Sequence, residues 1–164
     1  IYKAEKINTH GGSIRIYINQ NKKIKTDPSV KKILKEEIEF GINKYSTYEN
    51  FAKKVNKIKE NVIKNIKKIK ENKQPLIGYG APAKATTLLN FFGIKDDIEF
   101  VVEDNKLKQG KFIPGVNIPI KSKKFIKDKN NTLIVMAWNF FKEIVGDNKN
   151  LSNNFINIKD LEKN

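Results

Sequence analysis

Nine consecutive residues set the tightest limit on how this chain folds: Leu76-Ile77-Gly78-Tyr79-Gly80-Ala81-Pro82-Ala83-Lys84. An apolar run suited to a buried strand, Pro75 to Tyr79, meets a glycine-rich turn and then a helical pattern. Gly78 and Gly80 allow a tight turn and close approach of a ligand to the backbone. The first turn of a helix has unpaired N–H groups and the positive end of the helix dipole, so a phosphate is the natural guest. Pro82 suits that first turn, and Lys84 adds a formal positive charge beside it. Ala83 stands where a third glycine would fall, a position that tolerates alanine.

The downstream pattern supports this reading. Ala81 to Phe92 reads as a helix ending at Gly93, and Ile98 to Val102 as a second strand. Thr132 to Ala137 reads as a third strand, Phe140 to Val145 as a helix ending at Gly146, and Asn154 to Ile158 as a last strand. Ser122 to Lys127 has the length of a short helix. Strands alternating with helices predict an α/β fold, Rossmann-like, with a largely parallel sheet flanked by helices. The second strand leads into Glu103-Asp104-Asn105, about 25 residues beyond Gly78. Such carboxylates either meet a ribose hydroxyl or merely solvate a strand end or cap a helix. The Lys106 to Gly115 loop, with two glycines, a proline and three lysines, either wraps a polyphosphate or is a charged connection.

Upstream, Ser13 to Asn19 alternates, with Ile14, Ile16 and Ile18 on one face and Arg15 and Tyr17 on the other, so a strand precedes the α/β region. Asp27-Pro28 then starts a helix that carries Val30, Ile33, Leu34 and Ile38 and ends near Gly41. After Ser46-Thr47 a long amphipathic helix runs from Tyr48 to about Asn72. Its stripe of Phe51, Val55, Ile58, Val62, Ile66 and Ile69 fits packing on a sheet or neighbouring domain better than a coiled coil or membrane surface, because the repeat is short. The expected division is residues 1–47 as a linking strand and helix, and 48–164 as the long helix plus the ligand-binding domain.

Composition removes several classes of function. The chain has 164 residues and no cysteine, which excludes disulfides, thiolate catalysis and cysteine-bound metal; His10, its only histidine, excludes a histidine cluster. There is no apolar run of the ~18 residues a membrane span needs and no signal peptide pattern, so a cytoplasmic location is expected and no membrane partner. The chain begins at Ile1, which suggests a fragment. Its net charge of +15 raises nucleic acid as a partner. However, Arg15 is the single arginine among 33 basic residues, and arginine is the usual reader of guanine. The abundant Lys, Asn and Ile follow A/T-rich codons. The lysines are read as a solvated surface whose field still attracts anionic ligands.

Several blocks together resemble the C-terminal domain of the sugar C-methyltransferase family. They are His10-Gly11-Gly12-Ser13-Ile14-Arg15; Gly78 to Lys84 followed by Thr87-Leu88-Leu89-Asn90 and Gly93-Ile94; Glu103-Asp104-Asn105 into Lys108-Gln109-Gly110; Pro114-Gly115; Ile118-Pro119-Ile120; and Ala137-Trp138-Asn139. They follow the family order from about Thr9 to Asn139. Where the family commonly reads A-K-G-N-T this chain has Ala83-Lys84-Ala85-Thr86-Thr87, and N-P-L-K-Q-G becomes Asn105-Lys106-Leu107-Lys108-Gln109-Gly110.

The resemblance implies a three-part enzyme: a zinc-binding segment, an S-adenosylmethionine-binding domain, and this domain, which helps hold a nucleotide-linked keto-sugar. In the family's reaction a base removes the proton beside the keto group and the enolate attacks the methyl sulfonium. The family's Tyr, His and Glu acid/base motif lies upstream of the His-Gly-Gly-Ser block and is absent from this chain, as are the zinc cysteines. S-adenosylmethionine and zinc are therefore expected in an upstream part and not in this one, and the chain alone is expected to be inactive. The expected substrate-binding residues are Gly78, Tyr79, Gly80, Ala81, Pro82, Lys84, Thr86, Asp104, Lys108, Gln109 and Asn139. His10 either sits near the sugar as a donor or proton shuttle or is a turn residue. Arg15 pairs structurally or meets a phosphate. Trp138 fits core packing. The competing reading is an independent Rossmann-like nucleotide or dinucleotide module.

Overall fold

The computed structural model describes residues 1–163 apart from Lys22, with His10 described without its side chain. The chain forms two compact units, 1–54 and 55–164. In the first, strands β1 (Lys3–Ile7) and β2 (Ser13–Tyr17) form an antiparallel hairpin that pairs Ala4 with Ile16 and Lys6 with Ile14. The β1 strand was not legible, because Lys3-Ala4-Glu5-Lys6 supplies almost no apolar alternation. Gly11 and Gly12 at the turn have φ of 89° and 120°, a region that side chains with a Cβ avoid. The glycine pair that follows His10 thus makes the hairpin turn; the His10 side chain lies outside the described residues.

Helix α1 (Pro28–Phe40) begins and ends as its sequence signals. Asp27 accepts the Ser29 N–H at 2.8 Å, Pro28 takes the first position, and Gly41 closes the helix at φ 81°. The apolar face of α1 is not a core: Leu34 and Ile38 are exposed, as are Ile14 and Ile16 of the hairpin, and among the described residues of this unit Ala4 is the buried hydrophobic side chain.

Helix α2 (Tyr45–Lys70) starts three residues before the expected Tyr48. Its stripe divides in two. Val62 and Ile66 are fully buried with Ile58 and Ile69 packed beside them, whereas Phe51 is exposed. Asn61 and Asn65 on the same helix donate to the carbonyls of Glu162 and Leu161, which fastens the C-terminal turn Ile158–Glu162 to it.

The second unit holds a five-stranded sheet: β3 (Leu76–Tyr79), β4 (Val101–Val102), β5 (Ile120–Lys121), β6 (Thr132–Val135) and β7 (Asn154–Asn157). The spatial order is β5-β4-β3-β6-β7, and every neighbouring pair is parallel. Both faces are covered, which is why the strands read as continuous apolar runs. Leu76, Val101, Ile134 and Met136 face one cluster with Val62 and Ile66 of α2 and with Ala85, Leu89 and Phe92 of α3 (Ala83–Phe92). Ile77, Tyr79, Val102, Leu133 and Val135 face the other, packed by Phe141 and Ile144 of α4 (Phe141–Asp147). The short helix expected at 122–127 is a single 3₁₀ turn, Lys123–Phe125.

Gly78 is buried in the middle of the sheet. A Cβ there would stand 2.8 Å from Met136 Cε and 3.0 Å from Val101 Cγ2. Its lack of a side chain makes room for Met136 and Val101 in the core.

Candidate functional site

The strand order reverses between β3 and β6, so the connections leaving their C-terminal ends diverge and open a crevice, the usual ligand position in open α/β sheets. A cleft of about 410 Å³ lies there. One wall is formed by Tyr79 at the end of β3, Gly80 and Pro82 just after it, Glu103, Asp104 and Lys108 after β4, and Lys123 after β5. The opposite wall is Phe140, Glu143, Ile144, Asp147 and Asn148 around α4, with Ala137 at the base.

The turn after β3 is tightly built. Gly80 has φ 88°, and a Cβ there would lie 3.1 Å from that of Ala137, so the glycine is required by its own backbone. Pro82 sits just before α3 as its N-cap, so the helix begins two residues later than the expected Ala81. Ala81 is buried, and its two backbone groups are engaged: its N–H donates to Glu103 Oε2 at 2.9 Å, and its carbonyl accepts Lys108 Nζ at 2.8 Å. Glu103 Oε1 accepts the Asn105 N–H at 3.0 Å, and the Glu103 carbonyl accepts Gln109 Nε2 at 2.7 Å. Lys108 Nζ stands 3.7 Å from Glu103 Oε2. Glu103, Lys108 and Gln109 therefore lock the segment after β4 onto the glycine turn.

Asp104 is held differently. Tyr79 donates its hydroxyl to Asp104 Oδ2 at 2.8 Å, and Lys123 Nζ lies 2.9 Å from Oδ1. Burial pushes the Tyr79 phenol above its ordinary pKa, opposed in part by the Lys123 ammonium. Burial alone would lower Lys123, but its hydrogen bonds to Tyr79 and Asp104 prevail and raise it.

Lys84 and Lys159 flank the Trp138 indole, with Nζ atoms 5.3 and 5.4 Å from the ring centroid. Trp138 packs against the α2–α3 core, as expected. Of the residues expected to bind substrate, the cleft brings together Tyr79, Gly80, Pro82, Asp104 and Lys108. Ala81 and Gln109 act on that wall through backbone hydrogen bonds. Thr86 is half-buried along α3 and Asn139 is exposed in the 3₁₀ turn Trp138–Phe140, and neither borders the cleft. The 106–115 loop is pinned to α3 where Asn90 Nδ2 donates to the Pro114 carbonyl at 2.9 Å. Arg15 lies in the hairpin, paired in register with Glu5.

Lys123 and the α4 wall were missed. Lys123 follows a strand of two residues that leaves no periodic signature, and the sequence of α4 does not say which of its residues overhang the sheet edge. Among the described residues no three His, Cys, Asp or Glu side chains converge to hold a metal ion, and no described helix is long and apolar enough to cross a membrane.

A family model described as the C-methyltransferase C-terminal domain matches residues 8–157. The chain is 30% identical over 148 residues to C-methyltransferase NovU of Streptomyces niveus, an alignment that covers 88% of this chain and 35% of that protein. The chain thus spans about a third of the length of this curated relative. The β3–turn–α3 segment, the Glu103-Asp104 strand end and the His10-Gly11-Gly12 hairpin all fall inside the matched region, and the chain belongs to the C-methyltransferase C-terminal domain family.

Proposed function

We propose that this domain binds the nucleotide-linked keto-sugar substrate of an S-adenosylmethionine-dependent C-methyltransferase. The observation that carries the reading is the polar cleft at the β3/β6 reversal. It is large enough for part of a nucleotide and carries two lysines, each beside a carboxylate, on one wall and the carboxylates Glu143 and Asp147 on the other. Lys108 and Lys84 stand by the turn and the start of α3, a natural place for the diphosphate. Asp104, Glu143 and Asp147 lie along the rest of the cleft and suit groups that donate hydrogen bonds, such as ring hydroxyls.

S-adenosylmethionine, held by another domain, supplies the electrophilic methyl group. This chain's share of the work is to hold the substrate and fix its orientation, which makes attack by the substrate carbanion effectively intramolecular. The zinc of the family does not fit here: cysteine is absent, and the described carboxylates form no metal cluster. No step assigned to this chain runs through zinc.

Calorimetric titration of the chain with thymidine or uridine diphosphate, inorganic pyrophosphate and NADH tests the assignment. Binding of the nucleoside diphosphates, tighter than NADH, is expected. Tighter binding of NADH would instead favour a dinucleotide module. Labelled S-adenosylmethionine incubated with the chain and nucleotide keto-sugars should show no methyl transfer; turnover by the chain alone would overturn the division of labour.

A further inference from the structure

Two neighbouring carboxylates at the end of β4 have different surroundings. The Glu103 side chain is 14% exposed and spends both oxygens on backbone N–H groups, of Ala81 and Asn105. Its work is internal. The Asp104 side chain is 59% exposed, yet each oxygen is held by a donor from elsewhere in the sheet unit: Oδ2 by the buried Tyr79 at the end of β3, Oδ1 by Lys123 in the turn after β5. A solvated carboxylate turns freely, and an exposed ion pair adds little stability. Two donors from two separate segments fixing one exposed carboxylate in a cleft therefore serve orientation. An ionised carboxylate has about four lone-pair sites. Tyr79 and Lys123 use two, and the rest are left to accept from a ligand.

We propose that Tyr79 and Lys123 are positioning residues that hold Asp104 as the acceptor for a ring hydroxyl of the bound ligand, making the cleft selective for a hydroxylated ligand over its deoxy counterpart. The inference rests on the assignment of this cleft to a nucleotide-linked sugar. The Tyr79 hydroxyl cannot itself meet the ligand's hydroxyl as a donor while it donates to Asp104, so it acts through that carboxylate. Lys123 supplies the second fixed point and a compensating charge. The ring concerned is either the ribose or the sugar, and the chemistry is the same: a hydroxyl donor facing a fixed carboxylate.

The test compares affinities of the full 164-residue chain for paired probes by calorimetry. Thymidine diphosphate against its 3′-deoxy analogue reports a ribose hydroxyl. Thymidine diphosphate glucose against thymidine diphosphate reports a sugar hydroxyl. The wild-type chain should prefer the hydroxylated member of one pair by about tenfold, the range for a hydrogen bond to a charged group. Tyr79→Phe, Lys123→Met and Asp104→Asn should each bring that ratio close to one, while Lys123→Arg retains most of it. Circular dichroism checks that each variant is folded. A merely structural role would shift both members of a pair equally and leave the ratio unchanged. Wild-type ratios in folded Tyr79→Phe and Lys123→Met would overturn the inference while leaving the cleft assignment standing. No binding of any probe by the folded wild-type chain would overturn the cleft assignment and this inference with it.

Discussion

The Glu103 carboxylate accepts the backbone N–H of Ala81 at 2.9 Å, across 22 positions of sequence. The N–H that the glycine turn would offer to a phosphate is thus already engaged by an anion from the protein itself. A ligand phosphate must either displace Glu103 or seat farther along, toward the start of α3 and Lys84.

That competition makes Glu103→Ala informative. The substitution frees the Ala81 and Asn105 N–H groups and removes a negative charge from the cleft wall. Inorganic pyrophosphate should bind several-fold tighter, whereas folding stability should fall by about 1–3 kcal/mol because two hydrogen bonds are lost near the core. Calorimetry and urea denaturation measure the two effects. Unchanged pyrophosphate affinity would mean that the phosphates seat away from this turn.

Substitutions at Gly78 and Gly80 should fail for different reasons. Gly80→Val is strained by φ 88° and by contact with Ala137, so it should lower the melting temperature before any ligand is added, at a cost of about 1–3 kcal/mol. It cannot serve as a pure block on binding. Gly78→Ala forces a methyl group against Met136 and Val101 inside the sheet and should cost a similar ~1–3 kcal/mol. Met136 Cε is the end of a flexible side chain, so Gly78→Ala should recover stability when combined with Met136→Val. Thermal melts of the single and double variants decide this; no recovery would place the strain on Val101 or the backbone instead.

The apolar stripe of α2 should respond unevenly. Val62 is fully buried in the core of the sheet unit, and Phe51 is 66% exposed. Val62→Asp places an unpaired carboxylate among apolar side chains and should destabilise by at least about 3 kcal/mol. Phe51→Asp should change stability by less than about 0.5 kcal/mol. Equal effects in urea titrations would mean that Phe51 is covered in solution.

The parallel sheet was legible because strands buried on both faces carry apolar residues at every position, as in Leu133, Ile134 and Val135. The α1 caps were legible because Asp27, Pro28 and Gly41 act through local backbone geometry. The strands β1 and β5 were not: one is mostly charged, the other two residues long. At the site, the turn and Asp104 were readable from spacing. Its partners Tyr79 and Lys123 depend on three strands being placed side by side, which no local pattern records. The packing role of Gly78 was not legible, because a glycine that makes room for Met136 looks, in sequence, like one that makes room for a ligand.

The two ends of the pH scale should act on different groups. In the hairpin unit, hydrogen bonds from Lys3 and Tyr17 hold Glu5 below its ordinary 4.5, Ser29 holds Asp27 below its ordinary 3.8, and Lys6 holds Glu36 below its ordinary 4.5. A depressed carboxylate gives stability that is present above its unfolded value and lost as pH falls through the folded one. Acid should therefore loosen residues 1–54 below about pH 4.5. Tyr79 and Lys123 are both raised in the sheet unit, and Lys3 is raised by Glu5 in the hairpin unit. A raised group gives stability that is present below its unfolded value and lost as pH rises, so the alkaline loss begins above the ordinary 10.0 of tyrosine. Hydrogen exchange at pH 4 and pH 7 should show protection falling first in the hairpin and α1. Tyr79→Phe has no phenol to ionise and should lose less stability between pH 8 and pH 11 than the wild type, measured by urea unfolding across that range. A steeper alkaline loss in Tyr79→Phe would mean that the phenol's hydrogen bond to Asp104, and not its titration, governs that limb.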